Sequence, residues 1–269
     1  MAGAWRRRTG RRRGAVRRQA AVRAVGDGPP GGAIPMNKLL LGLAMLAAAL
    51  SAQAAPSAFV PRSDQYQVAW GSMGLGEGTI SLSPLQSGCY RYESVTKPMA
   101  IVRWTYGSPR ETSEFCVADG RIVPKRFVYT NDKRAKDSFT LDFDWAAHQV
   151  KTIKGGEIKL RELPDNTYDR FVIQLAVRQW VIKHAGEAKP APLEVKMVDH
   201  RRIKTYRFAL TGREKVETPA GKFDTLLVER VDDPGNSLRF WVAPERDYIP
   251  VKVQQIDDGE LKLQMLLSK

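Results

Sequence analysis

Histidine occurs three times and cysteine twice in 269 residues, and neither type clusters. His148, His184 and His200 stand far apart, with no H-E-x-x-H and no other ligand spacing, so no metal and no cofactor is assigned. A G-x-S-x-G elbow for acyl transfer is missing. The glycines at 71, 74, 76 and 78 lack the Gly-Lys-Ser/Thr that completes a phosphate loop, and they suit a bulged hairpin or a close backbone approach instead. Long apolar runs are missing too. Residues 39–50, apolar apart from Gly42, would rise about 18 Å as a helix, short of a hydrocarbon core of about 30 Å, which argues against a permanent membrane span. Acidic residues are almost absent before residue 55, where nine arginines and Lys38 face Asp27 alone. The formal charge of +14 is therefore concentrated at one end, and residues 55–269 hold 33 basic against 28 acidic groups. A body so nearly balanced is not read as a nucleic-acid partner.

What is present begins with an export signal. Met36 opens MNKLLLGLAMLAAALSAQAAP, with Lys38 as a short positive region, the apolar stretch 39–50, and Ala52-Gln53-Ala54 as a small-residue cleavage site. Residues 36–54 are expected to be removed, leaving 55–269 as one domain in the periplasm. Ala, Gly, Arg and Pro make up 26 of the first 35 residues, as in GC-rich noncoding DNA read in frame. Gly31-Gly32 can be written GGAGG, a ribosome-binding sequence, so translation is expected to start at Met36 and residues 1–35 not to be made.

From Tyr66 onward, turn formers fall every eight to twelve residues, among them Ser87-Gly88, Asp119-Gly120, Asn131-Asp132, Gly155-Gly156 and Asp257-Asp258-Gly259. Between them apolar residues recur with period two: Tyr66, Val68, Trp70; Phe139, Leu141, Phe143; Tyr206, Phe208, Leu210; Leu261, Leu263, Met265, Leu267. This predicts a mainly β domain, an antiparallel sheet with one apolar face, curled into a barrel or half-barrel. Residues 164–186 break the pattern. They predict one covering or inserted helix over about 165–185, opened by the cap formers Asp165, Asn166 and Thr167. Phe171, Leu175 and Ile182 lie on one side of it and Ile173, Val177, Trp180 and Val181 on another, the mark of a helix buried on two sides.

Five blocks resemble the family known as domain of unknown function 3108: SEFCVADGRIVPKRFVY (113–129), FDW (143–145), LPDNTYDRFVIQLAVR (163–178), GREKVETPAGKFDTLLVER (212–230) and RFWVAPERDYIPVKV (239–253). The resemblance spans nearly all of the mature chain and implies a secreted, strand-rich domain. It imports no reaction.

Catalytic chemistry has little to stand on. Asp142 and Asp144, at i and i+2 on a strand, share a polar face and read as solvated, and Asp169 and Glu214 are lone acids. Cys89 and Cys116 leave two readings open, a structural disulfide formed after export and two inert free thiols. The leading functional expectation is a non-enzymatic envelope protein that holds an apolar, lipid-like ligand in the concavity of its sheet, lined by Trp70, Tyr90, Trp104, Phe171, Leu175 and Trp180. The same six residues would serve equally to fill a dry core. An alternative is an interaction module with a closed core that docks on an envelope protein or cell-wall partner. A third, a hydrolase using Asp142 and Asp144 or Asp169 and Glu214, has no motif behind it.

Overall fold

The computed structural model describes residues 57–269. The start at Met36, the signal and its cleavage site lie outside the described residues. Short strands separated by tight turns form one sheet: β1 (Arg62–Trp70), β2 (Met73–Pro84), β3 (Cys89–Pro98), β4 (Pro109–Ala118), β5 (Arg121–Asn131), β6 (Phe139–Asp144), β7 (Gln149–Lys154), β8 (Glu157–Glu162), β9 (Thr167–Asp169), β10 (Leu193–Val198), β11 (Ile203–Thr218), β12 (Gly221–Arg230), β13 (Ser237–Ala243), β14 (Ile249–Asp257) and β15 (Glu260–Leu267). Helix α1 (Ala100–Tyr106) joins β3 to β4, and α2 (Ile173–His184) joins β9 to β10.

The strand order is β8-β7-β6-β5-β4-β3-β2-β1-β15-β14-β13-β12-β11-β10-β9. Two meanders meet where the first strand pairs with the last, Tyr66 opposite Leu267 and Val68 opposite Met265. Every pairing is antiparallel except β9 with β10. The sheet is not closed, because β8 and β9 pair on one side only, so the curled open form stands and the barrel does not. Four residues, 163–166, join these two edge strands. Pro164 has no N–H to extend β8, and β9 runs on after three residues into the turn that starts α2.

The curl is visible in contacts between distant strands. Ten strand spacings separate β4 from β9, about 48 Å in a flat sheet, yet the Ser113 hydroxyl donates to the Asp169 carboxylate at 2.7 Å. Likewise the rings of Phe139 and His200 lie 4.9 Å apart, and Arg161 of β8 donates to the Asp199 carbonyl at 2.7 Å.

Helix α2 fills the concavity. Phe171, Val172, Leu175 and Ala176 join a cluster with Tyr66, Leu82, Tyr92, Phe115, Phe127, Leu141 and Val150, while Ile173, Val177, Trp180 and Val181 join a second with Val195, Phe208, Leu226, Val228 and Phe240. A helix apolar on two sides is thus buried on two sides. It starts later than its sequence predicts, at Ile173 rather than near 165. Thr167–Asp169 pairs with β10, and the side chain that caps the turn is Asp169, which accepts from the N–H groups of Phe171 (2.9 Å) and Val172 (2.8 Å).

Candidate functional site

The six residues expected to line a pocket do not meet in one. Phe171, Leu175 and Trp180 are buried, the first two in one cluster and Trp180 in the other. Tyr90 packs on Phe115 and Phe59 at the margin of the first cluster. Trp70 (49 % exposed) and Trp104 (77 % exposed) stand on the surface. Trp70 continues the Tyr66–Val68 alternation, but it lies beyond a register shift in the β1–β2 hairpin, at a tip that reaches past the core. There Gly76 has φ +142° and approaches the β3 backbone so closely that a Cβ would overlap the Lys97 carbonyl. Cys89 and Cys116 are direct cross-strand partners in β3 and β4 and are joined as a disulfide.

The acids considered for hydrolysis are scattered and occupied. Asp142 sits between Arg126 and Lys151 on the polar face, Asp144 accepts from the Ala147 N–H at 2.9 Å, and Glu214 accepts from the Trp241 indole. Asp169 differs. It is fully buried, one carboxylate oxygen has no hydrogen-bond partner, and loss of solvation pushes its carboxyl up to about 6 despite the three hydrogen bonds from Val172, Ser113 and Phe171. It accepts from Ser113 and from the turn at 171–172, and so caps the turn that leads into α2. Among the described residues, no three potential ligands from His, Cys, Asp and Glu come together as a metal site.

A small cavity of about 20 Å³ lies between α2 and the sheet, with Arg62, Asp64, Tyr66, Tyr92, Gln174 and Arg178 beside apolar side chains in its lining. That volume suits a single water, not an acyl chain. Asp64 is buried and held by the Arg62 guanidinium through two bonds of 2.6 and 2.9 Å. Arg178 is buried in α2 and makes no ion pair among the described residues, although Asp64 lines the same cavity. Its guanidinium donates to the carbonyls of Asp247 (2.8 Å), Ala58 (3.0 Å) and Ser57 (3.4 Å), so a fixed cation ties the start of the domain to the helix. Burial is the main force lowering its pKa, with the nearby positive charge of Arg62 adding to it.

A group of exposed apolar residues lies around α1. No residue of α1 is buried, and Trp104 and Ile101 (66 % exposed) point into solvent. Met99, just before the helix, and Tyr106, its last residue, are exposed, and the nearby β1–β2 tip presents Trp70 and Met73 (57 % exposed). The Met99 N–H donates to the Leu75 carbonyl at 2.7 Å, which fixes the helix beside that hairpin. On its other flank, residues 131–138 brace it. Asn131 donates to the Tyr106 carbonyl at 3.1 Å, the Ser108 N–H donates to the Asp132 carboxylate at 2.7 Å, and the Arg134 guanidinium lies 4.0 Å over the Tyr106 ring. Sequence reasoning found Trp70 and Trp104 and missed their setting. Segment 97–110 (KPMAIVRWTYGSPR), apolar with three bases and no acid, was the available signal.

No curated protein matches the sequence. Among solved structures, the fold is similar to a Bacteroides fragilis NCTC 9343 protein described as exported, with a YmcC-like fold, at 10 % identity over 77 % of this chain and 93 % of that one, TM-score 0.30. It is also similar to a protein of Parabacteroides distasonis ATCC 8503 described as a lipoprotein, at 13 % identity over 81 % and 99 % of the two chains, TM-score 0.29. Residues 65–266, from β1 to β15, match the model of the family described as protein of unknown function DUF3108, and the chain belongs to that family.

Proposed function

We propose that this protein is a non-enzymatic module of the bacterial cell envelope that acts through its surface, docking by the end that carries α1. The observation that carries the reading is a helix of seven residues, four of them large apolar or aromatic, with none buried. Singly exposed apolar residues need no explanation, but Trp70, Met73, Met99, Ile101, Trp104 and Tyr106, exposed on α1 and the hairpin bonded to its start, together suit an interaction site. Export is supported by the signal-like residues 36–54 and by the Cys89–Cys116 bridge, which suits an oxidising compartment.

The reading in which the domain carries an apolar ligand inside the sheet has less behind it. Helix α2 occupies the concavity, and the cavity beside it has room for one water. An acyl chain would require the two core clusters to part. Photo-crosslinking in intact cells tests the docking reading, with the reactive side chain placed at Ile101 or Trp104 and, as control, at the fully exposed Lys215. Envelope adducts from 101 and 104 but not from 215 are expected, and equal labelling from all three removes the reading. Native mass spectrometry of Gln53–Lys269 purified without detergent is expected to give the mass of the bare chain. A stoichiometric bound lipid would return the interior-ligand reading.

A further inference from the structure

Resting on the docking reading, we infer that the partner of the α1 end is an anionic phospholipid surface, into whose headgroup region Ile101, Trp104 and the β1–β2 tip insert. The charge around the apolar group points there. Lys97, Arg103, Lys133, Arg134 and Lys136 are all exposed, and none makes an ion pair among the described residues. The acids nearby are Glu77, opposite Lys97 with no ion pair, Asp132, which is engaged by the Ser108 N–H, and Asp137. Five unpaired cations rimming a projecting Trp, Tyr, Ile and Met surface have the composition of a membrane-interface anchor. Indole and phenol rings settle at headgroup depth, aliphatic side chains go slightly deeper, and lysine and arginine reach phosphates. A protein partner fits less well, because lysine is depleted from such interfaces and three of the five bases are lysines.

The fifteen strands, two helices and two core clusters of the described residues lie within Gln53–Lys269, a compact unit by itself, and this unit is used for the test. Its cosedimentation is measured with vesicles of phosphatidylglycerol and phosphatidylethanolamine and with vesicles of phosphatidylcholine alone. Binding to the anionic vesicles, with a blue shift of tryptophan emission, is expected, and salt should weaken it. The double variant Ile101→Glu/Trp104→Glu should bind about tenfold more weakly or worse, and Arg103→Gln/Arg134→Gln about fivefold more weakly per base removed. Since α1 buries none of its residues and Arg134 is exposed, the far-UV circular dichroism and the unfolding midpoint of both variants should match the parent. Equal binding to both vesicle types, or variants that bind like the parent, overturns the inference. Failure to bind vesicles, together with specific crosslinks from 101 and 104 to an envelope protein, sinks the membrane surface and leaves the docking reading standing. Failure of both removes both.

Discussion

At the residue scale, the polar groups inside the domain serve the fold. Arg178 on α2 and Asp169 at the end of β9 are both buried, and each is satisfied mainly by backbone: three carbonyls for the cation, two N–H groups for the acid. Asp169 also gives the domain a pH dependence whose sign follows from burial. Its carboxyl, pushed up to about 6 when folded, titrates near 3.8 when unfolded. Between those values the folded chain holds a proton that the unfolded chain has released. The contribution of this group to stability therefore falls as pH rises through that window and remains unfavourable above it. Asn in its place can still accept from Phe171, Val172 and Ser113 without a charge to bury. The stability of Asp169→Asn relative to wild type is expected to rise by about 3 kcal/mol at most from about pH 4 to about pH 7, read from urea unfolding. Parallel curves would show that the carboxylate is solvated.

At the scale of elements, the sequence placed strands and turns well because alternation and turn chemistry are local. Asp119-Gly120 does turn β4 into β5, with positive φ at both residues, and Gly155-Gly156 turns β7 into β8. The helix was legible as a helix, from its lack of Pro and Gly and its two apolar sides. Its start was not, since Asp165, Asn166, Thr167 and Asp169 are all competent caps and only the pairing of Thr167–Asp169 with β10 selects the last. Helix α1 was not legible at all: seven residues between two strands carry no periodicity long enough to read. The disulfide belongs to this scale as well. It staples β3 to β4 across the connection that holds α1, at a sequence separation of 27. Cys89→Ser/Cys116→Ser is expected to lower unfolding stability by about 2–4 kcal/mol, and reductant should lower the wild type to the same level while leaving the variant unchanged.

At the scale of the molecule, the joint that matters is β1 against β15. It lies in the middle of the sheet, and it is where the two meanders meet. Leu267 is fully buried at that joint, and the Ser268 N–H donates to the Gln65 carbonyl at 2.7 Å. Removing residues 265–269 should therefore unfold both halves together. Hydrogen exchange is expected to lose protection in β4 and β5 as well as in β12 and β13, and protection retained in either meander would mean that the halves fold separately.

The sequence by itself determined the strand-rich class, the family, most turn positions and a helix apolar on two sides, because each rests on residues a few positions apart. Only the tertiary structure decided which apolar residues are interior. Trp180 and Trp104 look alike in sequence, yet one is enclosed by the second core cluster and the other stands in solvent. The physical reason is that burial here is made by the curl. It brings β4 against β9 across ten strand spacings and lets α2 fill the concavity, while the β1–β2 tip and α1 keep Trp70 and Trp104 uncovered.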